Sequence, residues 1–199
     1  MEMAMTMTGR TNDTFEIDKA VAVLGYLVEH TKESMYSLMK MMYLADKLHL
    51  EKFGRFIVGD YYCALKQGPV PSHTYNMMKH LRGDERTERF AVADRHFAYR
   101  ADHYITLLEP VDLDELSGSE VTCLEEVVNI YDKFGKWAVK DLSHDDAWQD
   151  AWASKSFFKK SVSIGIEKIA RQLDNGDVLL EHIRDRHPGE ASLPTGRLQ

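Results

Sequence analysis

From Met35 to Lys52 the chain reads MYSLMKMMYLADKLHLEK, and no other stretch constrains the fold as strongly. At helical spacing, about 100° per residue, Met35, Leu38, Met39 and Met42 fall on one side, with Asp46 and His49 in line with them. Lys40, Lys47 and Glu51 mark a narrow polar sector opposite. A helix wet along so thin a strip has to be packed on most of its circumference. Asp46 then faces protein, and a buried carboxylate must be paired, hydrogen-bonded or protonated.

The residues around this helix punctuate it. Ser34 stands as its N-cap and Gly54 as its stop. Extended segments are predicted over Arg55–Val58 and Tyr61–Lys66, the second rich in the aromatic and small residues that suit a packed strand. Gly68-Pro69-Val70-Pro71 follows as a rigid connector, because Gly68 permits conformations closed to bulkier residues and proline fixes φ and lacks an N–H. Ser72 is read as the cap of a helix over His73–Arg82, closed by Gly83. Read functionally, the same loop would present Val70 and His73 to a partner.

Elsewhere the pattern is mostly helical. Residues 1–13 read as a flexible arm, and a first helix spans Glu16–His30, with Ala20, Val21, Leu24, Leu27 and Val28 at helical spacing. A strand is expected near Arg89–Ala93 and a β-hairpin over Phe97–Leu108, turned at Ala101-Asp102. Pro110 opens an acidic linker, and Ser117-x-x-Glu120 is a capping box for a helix that runs to Gly135. A short helical turn, Trp137–Asp141, precedes a second cap-like start at Ser143-x-x-Asp146, after which Trp148 and Trp152 share a face. Helices are predicted over 157–173 and 178–186, and residues 187–199 as a disordered tail. The fold class expected is mainly α with a small antiparallel β element (α+β), one compact domain over residues 14–186.

Charge narrows the function. The 32 acidic residues against 25 basic ones give a net charge of −7, and the basic residues are scattered among acids, which disfavours nucleic acid as a partner. No stretch approaches the ~18 apolar residues of a membrane span, and no secretory signal is visible. Cys63 and Cys123 form no CxxC and read as reduced thiols of a cytoplasmic protein.

Several residues invite chemistry. Asp46 could be catalytic or ligand-binding, but no partner motif accompanies it. The favoured reading is a structural acceptor for backbone N–H groups of the Gly68–Val70 turn, or for a nearby Tyr or Arg. His49 is read as a satisfied core histidine. His144-Asp145 resembles part of a metal phosphohydrolase ligand set, which would need His49 and a later acid such as Asp174 or Asp177; no second such spacing supports it. His73 and His80 share a helix side, yet no carboxylate or cysteine stands ready to complete a zinc site. GxSxG, HExxH and Gly-rich phosphate loops are missing from the sequence. The ten methionines either fill the core, the favoured reading, or form a surface that adapts to several partners.

One resemblance is specific. The segment LMKMMYLADKLHLEKFGRFIVGDYYCALKQGPVPSHTY is similar to the signature of the SocA-like antitoxin family, also called the Panacea domain. Lys40, Tyr43, Leu44, Ala45, Asp46, Gly54, Gly59, Asp60, Tyr62, Ala64, Gly68, Pro69 and Val70 carry it, and Leu142-Ser143-His144 with Ala147-Trp148 adds a weaker match, so that the likeness spans about Ile17–Trp152. The resemblance implies a non-enzymatic antitoxin without cofactor. Such a protein binds a cognate protein toxin encoded beside it, and neutralises it directly or hands it to a cytosolic AAA+ protease. Lys40, Tyr43, Asp46, Asp60, Tyr62, Gly68, Pro69, Val70, His73, His144 and Trp148 are then scaffold or partner-contact positions. The alternatives are a small metal-dependent hydrolase around Asp46, His49 and His144, and a phage or mobile-element regulator.

Overall fold

A computed structural model describes residues 14–186. The arm expected over 1–13 and the tail expected over 187–199 lie outside the described residues. Helix α1 (Ile17–Thr31) leads into α2 (Met35–Phe53), in which every residue from Ser37 to Asp46 is buried, as are His49 and Leu50. The apolar helix is therefore the axis of the fold. Lys40 departs from expectation: it belongs to the polar sector of the helix yet is only 1 % exposed. Met39, Met41 and Met42 are all buried, so these methionines fill the core and form no adaptable surface.

Gly54 ends α2 in the left-handed conformation at φ 74°, as glycine allows. Ser34 occupies the N-cap position but makes no capping bond. The Glu33 carboxylate instead accepts from the Ser34 N–H (3.0 Å) and the Ser37 hydroxyl (3.1 Å).

Arg55–Val58 is not a strand; it forms bends whose Ile57 N–H is taken by a side chain. Strand β1 (Tyr62–Leu65) turns through Lys66-Gln67 into β2 (Gly68–Pro71). The GPVP segment is thus a sheet strand, and its prolines are compatible with that role. Ser72 N–H donates to Tyr61 C=O at 2.9 Å, so the antiparallel alternation puts Pro69 and Pro71 opposite Ala64 and Tyr62 at non-hydrogen-bonded positions. Helix α3 (Ser72–Arg82) follows, with Pro71 rather than Ser72 at the N-cap position.

The expected strand near Arg89–Ala93 is helical: a 3-10 turn over Glu88–Phe90, then α4 (Ala91–His96). Strands β3 (Phe97–Tyr99) and β4 (Ile105–Leu107) form the predicted hairpin. Helix α5 (Gly118–Ser143) starts in the complete Ser117/Glu120 capping box and packs along α2 as that helix's most extensive neighbour. It is interrupted at Gly135 (φ 75°, ψ 177°), where the predicted helix ends and the short helical turn begins.

Helix α6 (Asp146–Ala153) is capped by Asp145, whose carboxylate accepts from Trp148 N–H; Ser143 bonds back to Lys140 C=O instead. The helix predicted over 157–173 is largely absent. A turn leads to β5 (Val162–Ile164), which pairs antiparallel with β1 and gives the sheet order β2-β1-β5. Helices α7 (Ile166–Ala170) and α8 (Gly176–Arg186) complete the described chain. The architecture is mainly α with small antiparallel sheets. No helix among the described residues is long and apolar enough to cross a membrane.

Candidate functional site

The residues of the helix–strand signature converge on the face where α2 meets the β1–β2 hairpin. Asp46 enters from the fourth turn of α2 and is 2 % exposed. Its carboxylate accepts from Ile57 N–H at 2.6 Å and from the Tyr62 hydroxyl at 2.7 Å. The tyrosine partner agrees with expectation. The backbone partner is Ile57, not the Gly68–Val70 segment, because the bends after Gly54 fold back over the helix. Burial drives the Asp46 carboxyl up to about 7, against the two hydrogen bonds that favour its charge. Burial likewise raises the Tyr62 phenol well above its ordinary value, reinforced by the neighbouring Asp46.

One and a half turns earlier on α2, Lys40 reaches the hairpin from below. Its ammonium donates to Pro69 C=O at 2.7 Å and lies 5.0 Å from the centre of the Tyr36 ring. Among the described residues no carboxylate pairs with it, and burial lowers its pKa to about 7. Gly68 (φ 108°) sits between this side chain and His144. The His144 ring is fixed by Nδ1 on Lys140 C=O at 2.6 Å and by an edge contact with Trp148 at 4.4 Å. Trp148 in turn donates its indole N–H to Leu65 C=O at 3.0 Å. The distant Leu-Ser-His and Ala-Trp elements thus clamp the hairpin against α2.

Asp145 ties the two halves together. It accepts from the Tyr43 hydroxyl (2.9 Å) and from Lys47 (2.6 Å) while capping α6. Tyr43 also stacks edge-on against Tyr62, with ring centres 5.0 Å apart, so the Asp145 and Asp46 clusters share an aromatic wall. In the sequence Asp145 stands out only as half of the His144-Asp145 pair, not as a cap or as a partner of Tyr43 and Lys47. Its signal was a cap residue one position before a helix, hidden behind the more conventional Ser143.

Asp60 performs a similar service for α3. Its carboxylate accepts from Tyr61 N–H (2.8 Å), His73 N–H (2.9 Å), Thr74 N–H (2.8 Å) and the Thr74 hydroxyl (2.9 Å). It supplies the cap that Pro71 cannot. Val70 is 7 % exposed and points into the core, so the hairpin does not present it. His73 is half-buried between Phe15 and Tyr61, with ring centres 4.9 and 5.1 Å away.

Among the described residues the metal reading finds no assembled ligands. His49 is fully buried, with Nδ1 against Arg55 C=O (2.9 Å) and Nε2 against the Ser119 hydroxyl (3.2 Å); burial lowers its pKa. His144 is committed to Lys140 and Trp148. Among the described residues no group of three or more His, Cys, Asp or Glu comes together. Glu120, read only as half of a capping box, is a buried charge centre. It accepts from Ser117 N–H at 2.8 Å and pairs with Arg55 at 2.8 Å and Lys19 at 3.4 Å. Burial pushes this carboxyl up, and the Ser117 bond with the two cations brings it below its usual range.

Across the signature, polar atoms are used on one another. The single buried side-chain polar atom without a partner among the described residues is Oδ1 of Asn175. A surface cleft lies elsewhere, lined by Glu29, Lys32, Arg100 and Tyr104 beside α1 and β4, and includes none of the signature residues. The arrangement can hold a hairpin rigidly on a helix.

Comparison with known proteins gives the same segment. The family described as Antitoxin SocA-like, Panacea domain matches residues 38–149, which run from α2 into α6 and take in the whole Lys40–Asp46–Gly68–His144–Trp148 cluster. Neither the curated proteins nor the solved structures yield a match. With more than half its length covered, the chain belongs to the SocA-like antitoxin, Panacea-domain family.

Proposed function

We propose that this chain is an antitoxin that binds a cognate protein toxin directly, in the cytoplasm, and neutralises it in a stoichiometric complex without catalysis. The observation that carries the reading is the family match over residues 38–149. The geometry supports it, because the signature's acids, lysine and histidine are consumed by intramolecular bonds and read as a scaffold. On this reading residues 14–186 act as one binding body. Lys40, Tyr43, Asp46, Asp60, Tyr62, Gly68, Pro69, His144 and Trp148 hold its shape, and contacts to the toxin come from the surface around them.

The test is genetic and then biochemical. Each reading frame adjacent to this gene is expressed alone and together with this chain. One of them is expected to arrest growth alone and to be tolerated in company, and the two proteins should co-purify in fixed ratio. If no neighbour is toxic and none co-purifies, the antitoxin reading falls. Toxin half-life in cells with and without each cytosolic AAA+ protease then separates simple sequestration, with half-life unchanged, from delivery to a protease, with half-life shortened only when this chain is present.

A further inference from the structure

The segment Lys155–Lys160, KSFFKK, lies beyond the family-matched residues and joins α6 to β5. It holds three lysines and no acid in a chain of net charge −7. Phe157 and Phe158 are 92 % and 93 % exposed, the most exposed large hydrophobic residues among those described. Their rings stand 5.7 Å apart at 89°. Aromatic side chains left in water side by side are costly unless something covers them.

The turn that carries them is braced. Lys159 N–H donates to Ser156 C=O at 3.0 Å, and the Lys155 ammonium donates to Lys159 C=O (2.7 Å) and Ser156 C=O (3.2 Å). The same ammonium lies 4.9 Å from the centre of the Trp152 ring, which packs on the core. On the other side β5 is anchored to β1. Both rings are therefore presented from fixed points, and a preorganised contact loses less conformational freedom on binding.

We propose that Phe157 and Phe158 form a docking knob that inserts into an apolar cleft rimmed by carboxylates on the toxin. This rests on the antitoxin reading and adds to it the surface that selects the partner. Lys159 and Lys160 supply the complementary charge and speed encounter. Lys155 is a positioning residue that braces the turn. A protein cleft fits better than an anionic bilayer, because two rings on one turn offer little area to insert and the chain as a whole is acidic.

The experiment uses the full chain and, as probe, the neighbouring-frame protein identified by the rescue assay, titrated by calorimetry. F157S/F158S should weaken binding by about tenfold to a hundredfold and impair rescue, with the melting temperature unchanged. K155M keeps both rings and should weaken binding ~3-fold through loss of preorganisation. Unchanged affinity of F157S/F158S, with the wild type binding, overturns the knob and leaves the antitoxin reading standing. Failure of the wild type to bind any neighbouring product removes both. Phenylalanine-dependent sedimentation with phosphatidylglycerol vesicles, or a phenylalanine-dependent dimer in the ultracentrifuge, also overturns the proposal by assigning the rings to another occupant.

Discussion

The imidazole of His144 fills the space that a side chain at position 68 would need: a Cβ on Gly68 would stand 2.8 Å from His144 Cε1 and 2.8 Å from Lys40 Cε. Three segments far apart in sequence therefore meet at a point where only glycine fits, and the backbone there, at φ 108°, independently favours glycine.

Gly68→Ala follows from that contact. Strain at the positive φ and displacement of two packed side chains should together cost about 2–4 kcal/mol. The urea midpoint should fall with the slope unchanged. In a His144→Ala background the same substitution should cost measurably less, because one wall has been removed while the φ strain remains. Equal costs in the two backgrounds would show that the ring is not what position 68 senses.

Asp46 gives a second prediction. Asp46→Ala leaves the Tyr62 hydroxyl and the Ile57 N–H buried without an acceptor, and should destabilise by about 2–5 kcal/mol. Tyr62→Phe removes one bond of the pair and should cost about 1–2 kcal/mol. Toxin affinity of whatever Asp46→Ala protein remains folded should change less than its stability does. The opposite ranking would make Asp46 a contact residue.

These positions show what could be read in the sequence and what could not. The burial of Asp46, the stop at Gly54 and the Ser117/Glu120 box depend on neighbours within one or two helical turns, so pattern alone exposes them. The capping roles of Asp60 and Asp145 stay hidden because each caps its helix from outside the local window or beside a better-looking serine. A helical wheel puts Lys40 in water because it knows only its own helix. The Pro69 carbonyl that covers it arrives through the hairpin. Strand β5 looks helical in the sequence for the same reason: its three residues gain their conformation from pairing with β1, not from their own periodicity.

Lys40 and Asp46 together predict an unusual pH profile. The Asp46 carboxyl is near 7 when folded and about 4 when unfolded, so the native state holds the proton longer. Its contribution is intact below about pH 4 and is lost as pH rises to about 7, by up to ~4 kcal/mol. Lys40 is also near 7 when folded but about 10.4 when unfolded. Its penalty is present at and below pH 7 and is relieved as pH rises toward about 10. These two groups place a stability minimum near neutrality. Asp46→Asn should flatten the falling limb and Lys40→Met the rising one, read as urea midpoints at about pH 5, 7 and 9 relative to wild type. Parallel profiles for wild type and Lys40→Met would mean that the lysine keeps its ordinary pKa.

Asp60 separates a cap from a generic buried acid. All four of its partners are donors as arranged: three backbone N–H groups and the Thr74 hydroxyl. Asp60→Ala should cost about 2–4 kcal/mol, since it strips the α3 N-terminus of its acceptor and Pro71 has no side-chain acceptor to replace it. Asp60→Asn keeps the shape but turns one oxygen into an N–H donor. The Thr74 hydroxyl can rotate to accept from it, whereas a backbone N–H cannot, so the amide should recover only part of the loss. Hydrogen exchange localises the effect: the Thr74 amide, which shares its carboxylate oxygen with the Thr74 hydroxyl, should lose protection in Asp60→Asn before amides in α2 do, while the His73 amide keeps the other oxygen. Uniform loss across the protein would make Asp60 a core polar group like any other, and its cap geometry incidental.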